Sequence, residues 1–161
     1  MKNKTSKRVD FTIREIKLSY TPNAFDSALN KVIRNPQEAT EALTAVCEMV
    51  KVEPTEMCVA LFLDSQLSVI GYTIVSQGMI DCSFVDPRRI FQAAILSNAR
   101  SIILVHNHPS FADTPSQEDV KLTNRIEQGA ELFGIKLLDH VIVAGNKVVS
   151  IKHNRAAEDM C

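Results

Sequence analysis

The chain has 161 residues, enough for one domain with a proper hydrophobic core. Hydrophobic residues make up 45% and charged residues 23%, the balance of a soluble globular protein, and a net charge of −1 gives no basic field to draw nucleic acid or an anionic membrane. Trp is absent and aromatic residues are only 6%, so the composition advertises no base-stacking platform.

In chain order, Lys2, Lys4, Lys7 and Arg8 read as a solvated basic arm. Weak alternation through Phe11, Ile13, Ile16 and Leu18 predicts a strand over 9–20, and a short helix is expected over 25–33. Asn35-Pro36-Gln37-Glu38 then supplies an N-cap, a proline at the first helical position and a capping-box glutamate. Ala39, Leu43, Val46 and Val50 follow at helical spacing, up to Pro54. Residues 57–63 are a continuous apolar run of strand length, and Asp64-Ser65-Gln66 turns into a second strand expected over 67–77.

Asp86-Pro87 repeats the cap-plus-proline signal and opens a helix with Ile90, Phe91, Ala94 and Ile95 on its apolar face. A short buried strand over 101–105 runs into a polar, proline-punctuated loop. Ser116-Gln117-Glu118-Asp119 starts another helix, with Val120, Thr123, Ile126, Ala130 and Phe133 in register and Gly134 as C-cap. Strands over 135–143 and 147–151, joined at Ala144-Gly145-Asn146, close the chain as a hairpin. The order implies an α/β fold: a single mixed sheet with flanking helices.

Cys47, Cys58, Cys82 and Cys161 are widely spaced and form no CxxC pair, which reads as free thiols in a reducing compartment. No apolar run is long enough for a membrane span and the polar start lacks a signal-peptide core, so a cytoplasmic location without membrane association is expected. Nothing in the pattern specifies an oligomer.

The chemistry concentrates after the strand over 101–105. His106 and His108 alternate on an extended backbone, so both imidazoles can face one ion. Asp119 follows in the first turn of a helix, where an anionic side chain is favoured. Two imidazoles and one carboxylate make three ligands for one zinc per chain, and the fourth tetrahedral position stays open, as in catalytic sites. Each element also has a plainer account: Asp119 can be only the acidic half of a capping box with Ser116, and an HxH pair can be coincidence. The combination of strand, HxHPS, proline-rich loop and SxxD favours a site. His140 lies in a buried strand pattern, as a core histidine or a support for the metal from behind its ligands, and His153 reads as solvated.

His106-Asn107-His108-Pro109-Ser110 with Thr114-Pro115-Ser116-Gln117-Glu118-Asp119 resembles the JAMM metal motif of the JAB/MPN+ fold and, more closely, its RadC branch, bacterial proteins traditionally labelled as DNA-repair proteins. Leu61-Phe62-Leu63-Asp64, Asp86-Pro87-Arg88, Ile103-Leu104-Val105 and Leu137-Leu138-Asp139-His140 extend the likeness. It divides the chain into an arm and extension over 1–35, a JAB/MPN-like domain over 36–152 and a tail over 153–161. The resemblance implies a layered fold akin to the cytidine deaminases, zinc on His106, His108 and Asp119, and hydrolysis of peptide or isopeptide bonds in a peptide or protein substrate. It also implies a glutamate as general base, which by position before the apolar run is Glu56, with Glu53 as fallback, and it gives Ser116 an oxyanion- or water-steadying role. Helix capping explains Ser116 equally well. Phe111 stands where RadC proteins usually have glycine, and residues 1–35 lack the glycine-hairpin character of the DNA-binding module that many relatives carry.

Three functions are therefore in view: a zinc hydrolase of amide bonds, a DNA-processing enzyme suggested by the family label alone, and a non-catalytic module that uses its metal for stability. A single-metal ligand set argues mildly against phosphodiester cleavage, which often uses paired metals, and an open metal position disfavours a purely structural role.

Overall fold

The computed structural model describes residues 36–78 and 85–153. The expected arm, the strand over 9–20, the helix over 25–33, the Asn35 cap, Cys82, Cys161 and the tail from 154 onward lie outside the described residues. The elements run α1 (Pro36–Lys51), β1 (Met57–Leu63), β2 (Val69–Gln77), α2 (Pro87–Leu96), β3 (Ser101–Asn107), α3 (Gln117–Leu132), β4 (Lys136–Ala144) and β5 (Lys147–Ser150). Among the described residues no helix is long and apolar enough to cross a membrane.

The five strands form one mixed sheet in the order β2-β1-β3-β4-β5. β3 and β4 are parallel and joined through α3, while the other neighbouring pairs are antiparallel. Both faces are covered. Met57, Val59, Leu61 and Leu63 cluster with Val46 and Val50 of α1, whereas Cys58, Ala60 and Phe62 cluster with Ile90 and Phe91 of α2 and Leu122 and Ile126 of α3. A strand with two buried faces has no polar side to alternate with, which is why β1 reads as unbroken apolar sequence. α3 packs close on α2 at Gly129, where an added Cβ would sit 2.6 Å from the Phe91 ring.

Helix starts follow their signals. Asp86 caps α2 by accepting from the Arg88 backbone N at 3.0 Å with proline next in sequence, and Ser116 caps α3. Gly134 takes a left-handed φ of 64° just past the α3 C-cap. β2 begins at Val69, not at 67, because the Asp64 carboxylate accepts from the backbone N of Gln66 and of Ser68, at 2.8 and 2.9 Å, and draws Leu67 into the turn at φ 63°. β3 runs beyond 105 through His106 and Asn107, since β4 offers partners as far as Val143. Ile95 and Phe133 do not join the buried faces assigned to them by periodicity. Both lie near helix ends, and Phe133 instead covers Phe91 from outside, ring centroids 5.5 Å apart.

The parallel β3–β4 ladder carries one irregularity. Ile102 pairs with Leu137, but Ile103 pairs with Asp139, so Leu138 is an extra residue. A one-residue slip exchanges the faces of every later side chain. Here it puts His140 beside Leu104 on the α3 face of the sheet, the face that His106 also shares.

Candidate metal centre

The site forms where β3 ends and α3 begins. Strand alternation sends Ile102, Leu104 and His106 toward α3 and Val105 and Asn107 toward α1. The extended path continues one residue further, because the backbone N of His108 donates to Val143 O at 2.9 Å, and the His108 ring returns to the His106 side. Asp119 is brought up by the capping box of α3: its backbone N donates to Ser116 Oγ at 3.1 Å, and its Oδ2 accepts from Ser116 N at 2.8 Å and Ser116 Oγ at 2.7 Å. The two accounts of Asp119 therefore hold together, since the same carboxylate that caps the helix also faces the histidines.

His106 Nε2 lies 3.0 Å from His108 Nε2 and 3.2 Å from Asp119 Oδ1, and His108 Nε2 lies 3.4 Å from Asp119 Oδ2. One donor atom from each of the three residues falls within 4.8 Å of the others, an arrangement that can hold a metal ion. His106 and Asp119 are 0% and 1% exposed. Behind His106, Nδ1 contacts His140 Nε2 at 2.9 Å and His140 Nδ1 contacts Thr123 Oγ1 at 2.7 Å. The Nδ1–H of His108 donates to Ala112 O at 2.7 Å, since a carbonyl can only accept, so neutral His108 turns a bare Nε2 into the cluster. Two imidazoles and a carboxylate at this range suit a divalent transition metal, whose charge would satisfy lone pairs that otherwise face one another.

The electrostatics agree. Burial alone would push the Asp119 carboxyl up, yet the hydrogen bonds of His106 and His108, the charge of His106 and the Ser116 hydrogen bond together hold it far below the usual carboxylate range. His108 is raised above its ordinary value by its hydrogen bond to Asp119, opposed by burial and reinforced by Ala112 O and the charges of Asp119 and Glu56. Burial, then the charge of His106, pushes His140 well below its ordinary value. Cys58, opposite His106 in the β1–β3 ladder, is raised to about 12 by burial and by the charge of Asp119.

Glu56 precedes β1, where its backbone O accepts from Gly78 N at 3.0 Å. It stands two residues before Cys58, the partner of His106, so the antiparallel register carries it to the His108 end of the site, where its charge acts on His108. Glu53 is directed elsewhere, its carboxylate accepting from Gln77 Nε2 at 3.3 Å. The Ser116 hydroxyl is engaged by Asp119. Phe111 takes a left-handed φ of 61° and is 72% exposed. That backbone conformation is the one glycine adopts freely, so the loop keeps a glycine-like path at a cost of about 1 kcal/mol. The ring lies over Gly145, where a Cβ would come within 2.8 Å of Phe111 Cδ1, and Lys147 holds Asp113 of the same loop at 2.6 Å.

Sequence reasoning passed over Asn107. Its Oδ1 accepts from Met57 N at 2.7 Å, and its Nδ2 donates to Glu53 O and Thr55 O, both at 3.1 Å. The residue between the two histidines thus clamps, from the opposite face, the segment that carries Glu56. The available signal was a polar side chain placed by alternation on a buried face, where an amide needs partners. His140 joins the site from behind His106, and His153 is exposed as expected.

Residues 33–156 match the family described as "RadC-like JAB domain". The chain is 37% identical over 127 residues to a UPF0758 protein of Desulfitobacterium hafniense, covering 79% of this chain and 55% of that protein. A UPF0758 protein of Pseudomonas syringae pv. tomato is 39% identical over 126 residues, covering 78% of this chain and 53% of that protein. One from the archaeon Methanosarcina acetivorans is 39% identical over 97 residues, covering 60% and 42%. The chain thus spans about half the length of these relatives. With its fold, its clustered His106, His108 and Asp119 and this match, the chain belongs to the RadC-like JAB-domain family.

Proposed function

We propose that the protein is a zinc-dependent hydrolase that cleaves an amide bond of a peptide or isopeptide substrate. The observation that carries this reading is the buried convergence of His106 Nε2, His108 Nε2 and Asp119, three side chains that could hold one metal ion, the number of protein ligands found in catalytic zinc sites. Bound there, zinc supplies Lewis acidity that polarises a carbonyl and makes water nucleophilic near neutral pH. Asp119 offsets positive charge and keeps its orientation through Ser116 N and Oγ. Glu56 accepts the proton of the attacking water and returns it to the leaving nitrogen, a role supported by its place beside His108. Asn107 holds the Glu56 segment in register. Ser116, whose hydroxyl proton is directed at Asp119, orients that ligand, and steadying an oxyanion requires the hydroxyl to turn away. Two buried free thiols, Cys47 and Cys58, fit a reducing cytoplasmic setting.

The test is metal analysis with peptide and nucleic-acid substrate panels on wild type and Glu56→Gln. About one zinc per chain is expected in both, with peptide turnover lowered roughly 10²- to 10⁴-fold in the variant. Zinc-dependent cleavage of nucleic acid alone would transfer the reading to phosphodiester chemistry, and a zinc content near zero would reject it.

A further inference from the structure

A histidine binds metal only through a nitrogen without a proton, so His106 serves the cluster only if its proton sits on Nδ1. The hydrogen bonds behind it determine where that proton lies. Thr123 Oγ1 is 2.6 Å from Asp119 O and 2.7 Å from His140 Nδ1. A carbonyl carries no proton, and two oxygens approach this closely only with a hydrogen between them, so the single hydroxyl hydrogen of Thr123 is donated to Asp119 O. The contact with His140 must then be made by a proton of His140: its Nδ1–H donates to Thr123 Oγ1. The His140 ring is fully buried and its nitrogens meet a hydroxyl and an imidazole rather than a carboxylate, so it carries one proton and its Nε2 is bare. His106 Nδ1, 2.9 Å away, is therefore the donor of that bond, and Nε2, the nitrogen left to hold a metal, faces His108 and Asp119.

We propose that Thr123 and His140 are positioning residues that hold His106 in the Nδ1–H tautomer and so present its Nε2 to a metal ion. The benefit of this arrangement rests on the zinc reading above, while the tautomer itself belongs to the protein with or without metal. The opposite arrangement turns the Thr123 hydroxyl toward His140, reverses each bond, and places the His106 proton on Nε2, pointing at Asp119 Oδ1 3.2 Å away. In that state the site is closed to a cation. What selects between the two is the backbone carbonyl of Asp119, so the residue that offers the carboxylate also sets, through Thr123 and His140, the protonation of its fellow ligand. His108 reaches the same state through the direct bond to Ala112 O.

Long-range ¹H–¹⁵N NMR of the imidazoles in the metal-stripped full chain, with zinc affinity by chelator competition, tests this on wild type, Thr123→Val and Thr123→Ser. In wild type, His106 and His140 should both appear as Nδ1–H tautomers. Thr123→Val should move His106 toward the Nε2–H form and weaken zinc binding roughly ten- to hundredfold, the range for losing a partner behind a ligand, and Thr123→Ser should restore both. An Nε2–H tautomer at His106 in wild type overturns the proposal, as does Thr123→Val with unchanged tautomer and affinity. The wild-type spectrum and Thr123→Ser decide it even if the valine variant does not fold. A wild type with the Nδ1–H tautomer that takes up no zinc would reject the zinc reading and leave the tautomer assignment standing.

Discussion

Two helices of this protein begin with the same kind of device and use it differently. At the start of α2, Asp86 accepts from the Arg88 backbone N and pairs with the Arg88 guanidinium at 2.8 Å, in solvent, and the Arg88 hydrogen bonds hold its carboxyl below the ordinary value. At the start of α3, Asp119 is buried, held by Ser116, and faces imidazoles instead of a permanent cation. The first carboxylate is complete as it stands, because a full positive charge and water neutralise it. The second has imidazoles beside it in place of a permanent cation, and together they form a group that could hold a metal ion. A cap signal in sequence therefore identifies a helix start, and burial together with its neighbours decides whether that start is also a site.

The sharpest way to break this comparison is Asp119→Asn. Ser116 is the N-cap of α3 and an asparagine oxygen at 119 can still accept from Ser116 N, so helix α3 should persist with little loss of thermal stability, while zinc affinity should fall by more than the roughly ten- to hundredfold cost of losing an outer partner. Full affinity in chelator competition would reduce Asp119 to a cap, like Asp86.

A pH series should separate the two helix starts next. His108 is raised above its ordinary value of 6.5 by Asp119, so in metal-free protein its pairing contributes stability that is fully present below about pH 6.5 and lost as pH rises through the raised value. Zinc bound as proposed would reverse the sign over the same window, because protons compete for His108 Nε2, so stabilisation by zinc should grow as pH rises. Thermal melts with zinc and with chelator should diverge upward through this range; parallel curves would mean that His108 binds no metal. Asp86→Ala should give the smallest effect: a slight fall in Tm from the lost cap, with zinc content unchanged. A loss of zinc in that variant would show that the two starts are not independent.

Much of this was legible in the chain. The apolar run of β1, the Pro87 and Ser116 helix starts and the His106/His108 alternation depend on neighbours a few residues apart, and sequence displays such neighbours directly. The overreach at Ile95 and Phe133 has the same origin, because periodicity marks a helix face but not how far the opposing layer extends to cover it.

What sequence alone determined is the local chemistry: the residue types able to hold a metal, the strand and capped helix that carry them, and the φ demanded at Gly134. The tertiary structure decided which distant groups meet. The extra residue at Leu138 brings His140, not Asp139, to the face of His106. Asn107 reaches across to Met57, Glu53 and Thr55, and the β1–β3 register brings Glu56 to His108. These outcomes depend on strand register between segments 34 to 54 positions apart, and register is set by how whole faces pack, a property no local pattern carries.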